Sequence, residues 1–191
     1  MPDFDNKWFK AAVDLTEEMI QRFSDSAGGF FDSPSDGEVL LVRPKDIQDN
    51  ATPSGNALAC EALLKLAAFT DKGEHRDLAE QSLRLMSEQA LKYPTAFGRW
   101  LSAADFALGK QKQVAVVGDA RAETFGTLIQ AIRSAYRPGV VVAASPYPPE
   151  KDAPALLGDR PLVNDQPTAY VCEDFVCRQP VTSADELKKQ L

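Results

Sequence analysis

The residues with the densest supply of reactive and binding groups lie in one stretch, Arg43–Asn56, RPKDIQDNATPSGN. Arg43, Lys45, Asp46 and Asp49 bring both signs of charge. Ser54 and Asn56 add neutral hydrogen-bonding groups, and two prolines stiffen the backbone between them. The stretch runs directly into an almost wholly apolar segment, Ala57–Phe69. Polar, constrained loops at the rim of a buried helix are where binding and catalytic groups tend to sit. The competing reading is a long connection whose charges are solvated or paired with one another.

A second group is the pair Cys172 and Cys177, with four residues between them. If Glu173–Val176 turns a hairpin, the two sulfurs face each other within disulfide reach. The spacing is not C-x-x-C, so a thioredoxin-type redox site is not implied. Zinc requires two further ligands, and Cys60 and His75 are distant in sequence. Reduced structural thiols are the first expectation, a redox-responsive pair the second and metal the third. Cys60, inside the apolar segment, reads as a small buried hydrophobe. His75 is the one histidine, so no His cluster can ligate a metal. Among Glu74, Arg76 and Asp77 it reads as a solvated residue at a helix entrance. Gly118-Asp119 follows a strand-like run, but there is no G-x-G-x-x-G and no Walker lysine, which argues against a nucleotide site.

Bulk properties exclude other classes. The net charge of −7 disfavours non-specific nucleic-acid binding, which needs clustered Lys and Arg. No apolar run approaches the ~18 residues that span a bilayer. The opening residues lack the apolar core of a signal peptide. The expected address is therefore cytoplasmic, with neither nucleic acid nor membrane as partner, and no cofactor is expected.

The elements that must position these groups follow from periodicity. Phe4–Phe23 reads as a helix started by Pro2-Asp3, with Trp8, Ala12, Leu15 and Met19 as its main row. Phe9, Val13, Ile20 and Phe23 widen that row. Gly28-Gly29 supplies backbone conformations closed to other residues. Phe30 and Phe31 either line a cleft or plug a core beneath the loop. Val39–Val42 reads as a short strand, making Gly29–Val42 a small hairpin. Ala57–Phe69 is helical, apolar nearly all round and capped by Ser54 or Asn56. Arg76–Leu91 is a one-sided helix, and another helix follows Pro94 to about Leu108. From Gln113 the pattern changes. Val114–Gly118, Thr124–Tyr136 and Val140–Ala144 form strand, helix and strand, a βαβ unit expected to be parallel. Ala169–Cys172 is a third strand, and Thr182 or Ser183 caps a last helix.

The expected architecture is mainly α with a C-terminal α/β part. Residues 1–112 carry helices whose alternation of apolar and amphipathic members suits a partial α/α toroid or a plain bundle, with a polar loop at residues 28–56. Residues 113–191 form a small α/β subdomain of βαβ plus hairpin.

Two stretches add a resemblance. GGFFDSPSDGEVLLVRPKDIQDNATPSGN and PTAYVCEDFVCRQPVTSADEL resemble the C-terminal part of the thioredoxin-domain-containing family that includes spermatogenesis-associated protein 20 and bacterial YyaL-like proteins. The resemblance covers essentially the whole chain. It implies an (α/α)6 toroid of the six-hairpin glycosidase type, of which this sequence holds only part, preceded in the family by a thioredoxin-like domain. It also implies carbohydrate-related binding or catalysis in the full-length family. Asp46 and Asp49 would be its carboxylates, dividing acid and base roles. Arg43, Lys45, Ser54 and Asn56 would be its ligand-binding groups. A redox link through Cys172 and Cys177 to a thioredoxin-like domain, or a non-catalytic assembly role, is the alternative. Helices that lack their toroid neighbours would expose apolar surface. The expected partners are then the missing toroid and thioredoxin-like portion or a second copy, besides a sugar-like small molecule.

Overall fold

The computed structural model describes residues 4–191, so the Pro2-Asp3 start signal lies outside the described residues. Six α-helices and four strands follow in order among them. These are α1 (Asn6–Phe23), α2 (Gly55–Thr70), α3 (Gly73–Lys92), α4 (Gly98–Leu108), β1 (Lys112–Val117), α5 (Glu123–Arg133), β2 (Val140–Ser145), β3 (Thr168–Glu173), β4 (Val176–Cys177) and α6 (Ala184–Gln190). Short 3-10 turns occupy Pro94–Ala96 and Ala155–Leu157. The chain divides into two compact units. One is helical, residues 11–67 and 72–109; the other is α/β, residues 110–191 with residues 4–10 and 68–71.

In the helical unit α2 supplies the most deeply buried surface. Ala57, Cys60 and Leu63 are fully buried, and Leu64 and Leu66 nearly so. Burying one such leucine contributes roughly 1.5–3 kcal/mol. Cys60 donates its thiol to the Ala79 carbonyl at 3.5 Å, and burial pushes that thiol up to about 12. It is an inert core residue, as its apolar setting suggested. Trp100, Ala103 and Phe106 form the buried row of α4.

Three expectations fail here. Val39–Val42 is not a strand: Val39, Leu41 and Val42 are 97%, 106% and 79% exposed, and no strand among the described residues pairs with them. High β propensity does not make a strand without a neighbour to complete its ladder. The second failure concerns α1. Trp8 and Leu15, in its expected core row, are 62% and 66% exposed, whereas Thr16 is buried and Phe9, Val13, Ile20 and Phe23 are partly buried. The third is His75. α3 begins at Gly73, three residues earlier than its apolar pattern, so His75 falls on the stripe His75, Ala79, Ser82, Met86 and Ala90 and is buried.

The α/β unit is a mixed four-stranded sheet in the order β2-β1-β3-β4. β1 and β2 are parallel, with Val114 opposite Val142. β3 returns antiparallel to β1, with Ala115 opposite Tyr170. The expected parallel strand–helix–strand unit is therefore present. Its core joins Val114, Val116, Phe125, Leu128, Ile132, Val171 and Leu187. Gly118 ends β1 at φ +147°, and a Cβ there would stand 2.7 Å from Pro167 Cα, so the site demands glycine. Ser183 caps α6, accepting from Glu186 N and donating to its carboxylate.

Burial, helped by the neighbouring positive charge of Lys72, lowers the His75 pKa, against the weaker pull of Glu17 and Glu74. Its Nδ1 is buried without a hydrogen-bond partner among the described residues. The unfolded chain thus takes up the proton near pH ~6.5 while the folded chain resists until lower pH. Stability contributed by the neutral form is complete above that value and falls as pH drops below it. Urea unfolding between about pH 7 and pH 5.5 is expected to show this loss, and His75→Gln to flatten it. A slope unchanged in the variant assigns the acid sensitivity elsewhere.

Candidate functional site

The polar loop begins where α1 ends. Asp25 N–H donates to the Gly29 carbonyl at 3.0 Å and Gly28 N–H to the Asp25 carbonyl at 2.9 Å, closing a turn. Gly28 and Gly29 hold φ of +105° and +73°. A Cβ on Gly29 would lie 2.7 Å from Asn56 Oδ1, so the diglycine serves both conformation and close approach.

Asn56, on the first turn of α2, faces this turn and is buried. Its Oδ1 accepts from Phe30 N–H at 2.6 Å. Its Nδ2 donates to the Phe30 carbonyl at 2.8 Å and to the Asp46 carbonyl at 3.1 Å. One side chain thus replaces a strand partner for Phe30 and reaches the second half of the loop. Phe30 is buried, so it plugs the core beneath the loop. Ser54 caps α2, accepting from Ala57 N–H at 3.4 Å and donating to the Asp46 carbonyl at 3.1 Å.

The charged residues are similarly committed. Lys45 Nζ donates to Asp25 Oδ2 at 2.7 Å and to the Gly28 carbonyl at 2.5 Å. Lys45, with the Ala27 N–H, holds the Asp25 carboxyl below its ordinary range. The Arg43 guanidinium stacks 4.1 Å from the Phe31 ring centre and donates to the carbonyls of Ser33 and Arg22. Asp49 spends both oxygens on backbone: Oδ1 accepts from Ser54 N–H at 2.8 Å, and Oδ2 from Arg99 N–H at 2.7 Å in the first turn of α4. Its own N–H donates to the Ala96 carbonyl, and Trp100 Nε1 donates to the Ile47 carbonyl.

Asp46 stands apart. It is exposed, and among the described residues its Oδ1 accepts only from Gln48 N–H at 3.2 Å. Oδ2 accepts no hydrogen bond from the described residues. Among the described residues Asp46 and Asp49 are not linked to each other, and neither pairs with Arg43 or Lys45; the loop's ion pairs are Lys45 with Asp25 and Asp36 with Arg22. Among the described residues no group of three or more His, Cys, Asp and Glu side chains is arranged to hold a metal ion. Sequence reasoning missed Asp25, Asp32, Arg99 and Trp100. Asp32 Oδ2 accepts from Asp46 N–H at 2.8 Å. Arg99 and Trp100 meet the loop only because α4 packs beside it, and no local spacing signals that.

In the α/β unit Cys172 stands directly opposite Cys177 in the β3–β4 register. The two are joined as a disulfide, which corrects the expectation of reduced thiols. Asp174 and Phe175 both have positive φ, 48° and 61°. Such a two-residue turn matches the twist of a tight hairpin and brings the cysteines face to face.

By fold the protein has a helical unit with a side-chain-pinned polar loop and a small mixed-sheet α/β unit. No family model matches the chain. It is 33% identical to human spermatogenesis-associated protein 20 over 98% of its own length and 24% of the relative's. The rat and mouse proteins of that name are 31% and 30% identical over the same shares. The chain is thus similar to one portion of these proteins and spans about a quarter of the length of the curated relatives it matches.

Replacing Asp49 by Asn removes one of two charged acceptors and sets an amide N–H against an N–H. Denaturant unfolding is expected to show a loss of about 1–3 kcal/mol. Asp46→Asn, at an exposed group, is expected to stay within ~0.5 kcal/mol. The reverse order would mean that Asp46, and not Asp49, anchors the loop.

Proposed function

We propose that this chain is one part of a larger carbohydrate-related toroid, which it forms with the rest of a protein of the relatives' length. The observation that carries this reading is the apolar row left outward on α1. Trp8, Ala12 and Leu15 lie on its solvent side while Phe9, Val13, Thr16 and Ile20 turn inward. An amphipathic helix with apolar residues on both faces is suited to two layers of neighbours. The relatives carry about three further quarters of sequence from which a second layer can come. The exposed run Val39–Val42 supports the same reading. Asp46 is the loop carboxylate with capacity to meet a sugar-like ligand in the completed protein. Asp49, Ser54, Asn56 and Lys45 act as its scaffold. On this reading the chain alone is not a catalyst.

Light scattering across a concentration range, alone and after co-expression with a polypeptide matching the rest of the relatives' length, tests the assembly. Association alone, replaced by a defined heteromeric complex with the partner, is expected. Trp8→Glu with Leu15→Glu should abolish the complex while leaving circular dichroism unchanged. A monomer at every concentration that forms no complex would sink the reading. In the complex, sugars that raise Tm should cease to do so in Asp46→Asn.

A further inference from the structure

The disulfide in the α/β unit plays no part in the proposed assembly, and its setting suggests chemistry of its own. β4 is a two-residue strand at one end of the sheet order, bonded only to β3. Its hairpin is held closed without the sulfurs. Phe175 N–H donates to Gln113 Oε1 at 2.8 Å, and Arg178 N–H to the Val171 carbonyl at 2.9 Å. Arg178 pairs with Glu173 at 3.1 Å, and Ala169 and Val181 exchange both backbone hydrogen bonds. A crosslink between residues five apart removes less chain entropy from the unfolded state than one closing a longer loop. The hairpin therefore has contacts of its own that remain when the sulfurs part. The two sulfur-bearing residues also differ: Cys172 is fully buried, whereas Cys177 is partly exposed between exposed Val176 and Arg178.

We infer that Cys172–Cys177 is a thiol–disulfide exchange site that accepts two electrons from a dithiol while the domain stays folded, with Cys177 as the sulfur attacked. A dithiol's thiolate attacks Cys177 Sγ, forming a mixed disulfide and breaking the bond to Cys172. The electron pair passes to Cys172 Sγ, which takes up a proton from solvent because burial favours the neutral thiol. The dithiol's second thiolate attacks its partner sulfur in the mixed disulfide and expels Cys177. The products are a cyclic disulfide and a reduced Cys172/Cys177 pair.

The test uses the purified chain and dithiothreitol, with acid quench, alkylation and mass spectrometry, while near-ultraviolet circular dichroism follows the fold. Two alkylations beyond that of Cys60 should appear with the native spectrum retained. A single addition of glutathione, mapped by fragment ions in the wild-type chain, should fall on Cys177 over Cys172 by about tenfold, as access dictates. Cys172→Ser offers a second readout, since its lone Cys177 should form the mixed disulfide readily. Reduction that proceeds only at the rate of global unfolding, or glutathione found chiefly on Cys172, overturns the proposal.

Discussion

The buried amide of Asn56 is the contact on which the helical unit's loop depends. It takes up both backbone groups of Phe30 and the carbonyl of Asp46, joining two loop segments to the start of α2. Buried backbone groups left unpaired cost about 1–3 kcal/mol each, and an irregular segment has no ladder to satisfy them. The amide satisfies three at once. Its reach requires a bare backbone at Gly29, where a Cβ would stand 2.7 Å from its oxygen. The diglycine, the buried phenylalanine and the asparagine thus form a single device, in which Phe30 and Asn56 stand 26 positions apart in sequence.

Asp49 performs the equivalent task at α4. Helix starts leave N–H groups without partners, and Asp49 answers one of them at Arg99 from outside the helix while also fixing Ser54. A carboxylate used this way is an anchor, with no lone pair directed at a substrate by the described contacts. The polarity of the loop is consequently mostly structural. Reactive capacity remains chiefly at the exposed Asp46, whose carboxylate accepts, among the described residues, from the Gln48 N–H of a local turn.

The apolar surface carries a different message. Leu15 and Trp8 lie outward on a helix whose other face already packs, and Val39–Val42 lie open beside a well-pinned loop. Isolated exposed apolar residues are ordinary, but a row along one helix together with four consecutive aliphatics is a surface that neighbours normally cover. The relatives' greater length is consistent with that demand. In the α/β unit the central strand β1 is buried along Gln113–Val117, and the β3–β4 hairpin is closed by hydrogen bonds.

Local chemistry was legible in the sequence. The helices came from apolar period, the βαβ unit from short aliphatic runs, the cap of α2 as Ser54 or Asn56 and that of α6 as Thr182 or Ser183 from their positions, the positive φ at Gly28 and Gly29 from their lack of a Cβ. Even the cysteine hairpin was readable as a turn of four residues. Those features depend on neighbours within a few positions, so sequence alone determines them. It did not determine which apolar row of α1 faces inward, because both rows suit a helix and only the available neighbours choose. Nor did it show His75 as buried, since that depended on α3 starting at Gly73. The fate of Val39–Val42 turned on the absence of a pairing strand among the described residues. The pairing of Lys45 with Asp25, of Asp49 with Arg99 and of Cys172 with Cys177 was decided by tertiary structure. Each joins groups whose proximity exists only once the backbone has folded, and their burial then fixes whether a charge is free for chemistry or committed to holding the chain.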